Sequence, residues 1–86
     1  MATEARLRSA ILSLLADRGS GKTICPSDAA RAVAGAEFRL LMKPTRHAAA
    51  DLVAEGRIEV TQKGEVVDLA TVRGPIRLRL RQTSRP

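Results

Sequence analysis

The apolar residues of this chain change period at Gly56, and that change limits the fold more than any other feature. Before it, Leu7, Ile11, Leu14 and Leu15 recur three and four positions apart, the stripe of one face of an α-helix over about Thr3 to Arg18. After it, Ile58 and Val60 alternate with Arg57, Glu59 and Thr61. Later, Ile76, Leu78 and Leu80 alternate with Arg77, Arg79 and Arg81, the period of a strand with one buried face. The chain is helical first and extended second.

Punctuation divides the first half. Gly19, Gly35 and Gly56 each follow a helical stretch, where glycine takes a left-handed conformation at little cost. Pro26, Ser27 and Asp28 open a second helix through a preset φ, a capping hydroxyl and a negative charge near the helix's positive end. A third helical region covers about Glu37 to Glu55, and Pro44 within it either kinks it or begins a new helix. Thr23, Ile24 and Cys25 form a short β-prone piece able to pair at a sheet edge, and Gln62 to Glu65 make a turn before Val66 and Val67. The order helix, strand, helix, helix, strand, wing, strand predicts an α+β fold. Its expected form is a winged helix-turn-helix with three helices and a small antiparallel β-sheet. One domain over residues 3–82 is expected, with 83–86 as a frayed polar tail.

Eighty-six residues support one core, and it must be thin and aliphatic, because Phe38 is the only aromatic beside twenty Ile, Leu or Val and fourteen Ala. Size scaling gives a radius of gyration of about 12 Å, which leaves little room to enclose a substrate. Chemistry is correspondingly sparse. Ser20 to Thr23 imitates a phosphate-cradling loop, but Ala16 stands where the first glycine is needed and a helix precedes it instead of a strand. Cys25 reads as a small core residue beside Ile24. With one His and one Cys no zinc site is expected, and Ser27, His47 and Asp51 are no more than a drawable triad, His47 and Asp51 reading as a surface pair. The chain is therefore read as a non-enzyme without cofactor or metal. Met1 to Ser9 lack the apolar core of a secretion signal and no apolar run nears the roughly 20 residues of a membrane span, so the expected location is cytoplasmic.

The formal net charge is +6, which favours polyanionic partners. Residues 1–68 hold ten basic and nine acidic side chains, whereas residues 69–86 hold five Arg and no acid. At 100° per residue, Leu41, Thr45, Ala48 and Leu52 share one face of the third helix. Lys43, Arg46, His47, Ala50 and Ala54 share the other, cations leading and small residues trailing, as a helix entering a DNA major groove requires. Arg39 precedes them, and Gln62 and Lys63 at the hairpin tip are a second candidate contact. The row Arg77, Arg79 and Arg81 either binds phosphate or, on an edge strand, keeps other strands away or pairs with acids of the chain itself.

Several segments also carry a resemblance. Ile24 to Asp28, Arg39, Leu41 and Met42 ahead of Pro44, Glu55 to Thr61 with Lys63 and Gly64, and Gly74 to Arg77 together resemble an uncharacterised bacterial winged-helix family, a domain of unknown function. The resemblance implies the fold and no activity; its members tend to carry Trp where Phe38 stands. The functional expectation is a small cytoplasmic protein that binds duplex DNA, a transcriptional regulator contacting it through Arg39, Lys43, Arg46, His47, Lys63, Arg77 and Arg79. A homodimer would let so small a reader span a longer site. The alternative is a protein-interaction module that docks its basic last strand on an acidic partner surface or adds it to a partner's sheet edge.

Overall fold

The structure, a computed structural model, describes residues 3–81. The elements run α1 (Thr3–Arg18), β1 (Thr23–Ile24), α2 (Pro26–Ala34), a 3-10 segment (Gly35–Leu41), α3 (Met42–Ala54), β2 (Ile58–Gln62), β3 (Glu65–Val66) and β4 (Arg77–Leu80). It is an α+β fold with one antiparallel sheet in the order β1-β4-β2-β3. The expected tail at 83–86, like Gln82 at the expected domain boundary, lies outside the described residues.

Helix ends follow local chemistry. The backbone of Cys25, the residue before α2, is extended, and its N–H donates to the Asp28 carboxylate at 2.9 Å, so Asp28 reaches back over the first turn. Pro26 fills the first helical position, where its missing N–H costs nothing. Ser27, expected to supply the cap, lies two positions too far along to do so. At the end of α3 the N–H of Gly56 donates to Val53 (2.9 Å) and that of Arg57 to Leu52 (3.0 Å), with Gly56 at φ +75. This Schellman pair turns the chain into β2, and a side chain at 56 would be strained by φ and crowded by Arg81 Nη1 at 3.2 Å.

The third helical region is two pieces. A 3-10 segment occupies Gly35–Leu41, with Glu37 off helical geometry, and α3 proper starts at Met42. Pro44 therefore falls in a first turn, where backbone N–H groups have no intrahelical acceptor, and it begins a helix instead of kinking one.

The sheet corrects the place expected for the last strand. β4 is not an edge strand. It lies between β1 and β2, with Leu78 paired to Ile24 on one side and to Val60 on the other. These three, with Leu7, Ile11 and Leu15 of α1, Leu52 of α3 and Ile58, are at most 1% exposed and form the core. Leu14, expected in the α1 stripe, is only partly buried and packs at the margin. Phe38 is not in the core at all. The hairpin pairs only Thr61 with Val66 and Gln62 with Glu65, across a two-residue turn in which Lys63 (φ +53) and Gly64 (φ +85) are both left-handed. The Cα radius of gyration is 12.2 Å, in line with the size argument.

Leu78→Ala removes the side chain shared by three strands and is expected to cost about 2–5 kcal/mol. Leu40→Ala, at a residue 75% exposed, is expected to stay within about 0.5 kcal/mol of the parent. Urea unfolding followed by far-ultraviolet circular dichroism measures both, and equal losses would mean that Leu78 is not the centre of the core.

Candidate functional site

α3 divides along its length as its residue pattern demands. Thr45, Ala48, Ala49 and Leu52 are buried, and the Thr45 hydroxyl donates to the Leu41 carbonyl at 2.6 Å, which satisfies it inside the core. Lys43, His47, Ala50 and Ala54 are exposed, and Arg46 is half-buried on one flank. Ala49 is the buried residue that the helical wheel did not single out.

The two flanks of this helix differ in sign. Toward α1 lie Glu4, Asp51 and Glu55. Arg8 grips Glu55 with two nitrogens, Nη1 to Oε2 at 2.8 Å and Nη2 to Oε1 at 2.9 Å, and Arg57 stands 3.9 Å from the same carboxylate. The hydrogen bond from Arg8 holds the Glu55 carboxyl below the usual glutamate range, and the same bond raises Arg8. His47 leans to this acidic side, its Nδ1 3.9 Å from Glu4 Oε2. That separates it from the cations it was grouped with, and its near carboxylate is Glu4 instead of Asp51.

The other flank is cationic and adjoins a groove. Arg46 and Met42 line a depression with Pro26, Ser27 and Gly74, and Lys63 lines the next one with Gln62 and Arg77. Cys25, Pro75 and Ile76 border both, so the two depressions adjoin between the first turns of α3 and the hairpin. Among the described residues, Lys43, Arg46 and Lys63 have no carboxylate at ion-pair distance.

The remaining candidates are placed differently. Arg79 sits opposite Glu59 across β2 and β4 and pairs with it at 2.9 Å. Arg77 donates to Thr23 Oγ1 at 2.9 Å, Cys25 Sγ at 2.7 Å and the Thr23 carbonyl at 3.3 Å. Both guanidiniums are thus engaged by the protein itself. Cys25, expected to fill the core, is half-exposed and accepts from Arg77. Arg39 is exposed in the 3-10 segment with its Cζ 5.0 Å from the Phe38 ring centroid, and Arg31 covers the same ring at 4.0 Å.

Gln62 turns away from the role expected for it. Its amide donates to the carbonyls of Arg73 (2.6 Å) and Pro75 (3.1 Å). Arg73, exposed and without an ion-pair partner among the described residues, was not singled out from the sequence at all. No local signal marks either residue, because the acceptors of Gln62 lie 11 and 13 positions away.

Among the described residues no three His, Cys, Asp or Glu side chains converge, and no helix is long and apolar enough to cross a membrane. A broad depression between α1 and α2 offers Ser9 and Ser13 but no acid or base to activate them. These features define a small α+β domain with a free cationic ridge beside a shallow groove. The chain belongs to the family described as a protein of unknown function (DUF3253), whose model matches residues 4–81. No curated protein matches it.

The lowered Glu55 pKa makes the Arg8 bridge a contribution to stability that is complete above the ordinary glutamate range and is lost as pH falls through the depressed folded value. Carbon-detected titration should place the Glu55 midpoint below that of an ordinary glutamate, and Arg8→Ala should return it upward. An unchanged midpoint in that variant would show the bridge absent in solution.

Proposed function

We propose that this protein is a cytoplasmic winged helix-turn-helix domain that binds duplex DNA and acts in transcriptional regulation, with α3 as the helix presented to the major groove. The order of elements supports the fold assignment, as does the antiparallel arrangement in which the last strand lies between the first and second. The observation that carries the functional reading is the uncompensated pair Lys43 and Arg46 on the first turns of α3, followed on the exposed face by the small residues Ala50 and Ala54. Cations at the leading end can neutralise phosphates or read guanine, and alanines behind them let the helix backbone approach the groove.

Charge placement gives the docking a direction. Glu55 and Glu59 are held by Arg8 and Arg79, and Glu4 with Asp51 lies on the flank toward α1, away from the groove. A duplex approaching over Lys43, Arg46 and Lys63 meets the cationic flank, and His47 lies at the margin of that approach. Arg39 extends the ridge from the preceding segment. The competing reading, docking of the basic last strand on an acidic protein, has less behind it: β4 has neighbours on both sides and its Arg77 and Arg79 already have partners.

Titration of a labelled mixed-sequence duplex at several salt concentrations tests the proposal. Affinity should fall linearly on logarithmic axes, by a slope of about 0.9 per neutralised phosphate. Lys43→Ala with Arg46→Ala should weaken binding and reduce that slope by about 2. Arg79→Ala should leave the slope nearly unchanged. Absence of binding at low salt ends the reading.

A further inference from the structure

The connection from β3 to β4, residues 67–76, is more ordered than a ten-residue loop needs to be. After the short β3, the Val67 N–H donates to the Val60 carbonyl at 2.9 Å, and Val67, Leu69 and Val72 pack against the core. Asp68 winds the next stretch: its Oδ1 accepts from Ala70 N–H at 2.9 Å and its carbonyl from the N–H groups of Thr71 (3.1 Å) and Val72 (2.9 Å). The chain then emerges at Arg73, and there the Gln62 amide takes hold of it.

Both N–H groups of one side chain point at carbonyls that flank Gly74. An amide oxygen in that position would face two other acceptors, so the nitrogen is the atom placed there. Gly74 has φ +88, a left-handed conformation that glycine adopts at little cost, and the backbone curls around the amide there. Lys63 follows Gln62 directly, and the Arg73 carbonyl is one of the two acceptors. The clamp therefore fixes the backbones of Lys63 and Arg73 at the same end of the sheet. Gly74 borders the depression that holds Arg46, and Lys63 borders the adjoining one. Neither cation has a carboxylate at ion-pair distance among the described residues.

We infer that Gln62 is a positioning residue that holds Lys63 and Arg73 together as a second phosphate-contacting element, fitted to the backbone of a nucleic-acid duplex whose groove receives α3. The inference rests on the duplex-binding reading above and adds to it a contact, Arg73, and a device that aligns it. Restraining the loop before the ligand arrives lowers the ordering cost of binding, which is the physical advantage of placing a clamp there.

The test compares salt-dependent duplex binding by the whole protein and its variants Arg73→Ala, Lys63→Ala, Gln62→Met and Gln62→Met with Arg73→Ala. Each loss of a cation should reduce the salt slope by about 0.9 and the affinity by roughly threefold to tenfold. Gln62→Met leaves every charge in place yet should lower affinity to a similar degree, and Arg73→Ala should then cost little more in that background. A merely structural Gln62 would lower the melting temperature and leave the Arg73→Ala effect the same in both backgrounds, which overturns the positioning role. If Arg73→Ala and Lys63→Ala bind like the parent while the Lys43 and Arg46 variant does not bind, the second contact is wrong and the α3 reading stands. If the parent does not bind duplex at low salt, both fall. Should Gln62→Met fail to fold, the two exposed single variants still decide the contact.

Discussion

The insertion of β4 between β1 and β2 is the constraint on which the rest of this molecule depends. It brings Leu78 between Ile24 and Val60 in one buried row, so residues far apart in sequence become neighbours at the centre of the core. α1 and α3 close over that row with Leu7, Ile11, Leu15 and Leu52. With no aromatic in the interior, each aliphatic side chain must fill its share of space closely, and a hole at the crossing of three strands has little around it able to collapse inward.

The same insertion decides the electrostatics. On the row behind Leu78, Arg79 is placed between Thr23 and Glu59, and it meets the carboxylate of the latter. One residue pair along, Arg77 reaches across to Thr23 and Cys25 and uses three of its donors there. Two of the three arginines in the most conspicuous basic stretch of the sequence are thereby turned into internal bracing, while Arg81 stays exposed. Among the described residues without an ion pair are Lys43 and Arg46 at the head of α3 and Lys63 and Arg73 at the end of the sheet, and adjoining depressions lie beside Arg46 and Lys63. Of the acids near α3 and the sheet, Glu55 is bound by Arg8 and Glu59 by Arg79, Glu4 and Asp51 lie toward α1, and Glu65 stands exposed on β3 near the hairpin tip. A phosphate backbone is the kind of ligand that such a separation of sign suits, because its charge is continuous and its contacts can be distributed over two elements.

Much of the architecture was legible in the residue pattern, since capping and periodicity act within a few residues. The bounds of α1 and α2, the Gly56 turn, the two-faced character of α3 and the alternation of β4 all came from such local rules. The misplacements share one cause. Helical spacing puts Leu14 in the buried stripe and side-chain type puts Cys25 in the core, whereas burial depends on what packs opposite. Pro44 left two outcomes open because a proline is tolerated in a first turn and disruptive later, and where α3 starts depends on how the 3-10 segment before it packs.

The candidate site divides along the same line. The chain by itself determined that α3 would carry Lys43 and Arg46 opposite a buried face, because a helix of this pattern has only one way to hide Thr45, Ala48 and Leu52. Only the tertiary structure decided which cations stay free, since neutralisation depends on the neighbouring strand or helix and not on the neighbouring residue. It alone set Glu59 against Arg79, drew His47 toward Glu4, and closed Gln62 on carbonyls more than ten positions away.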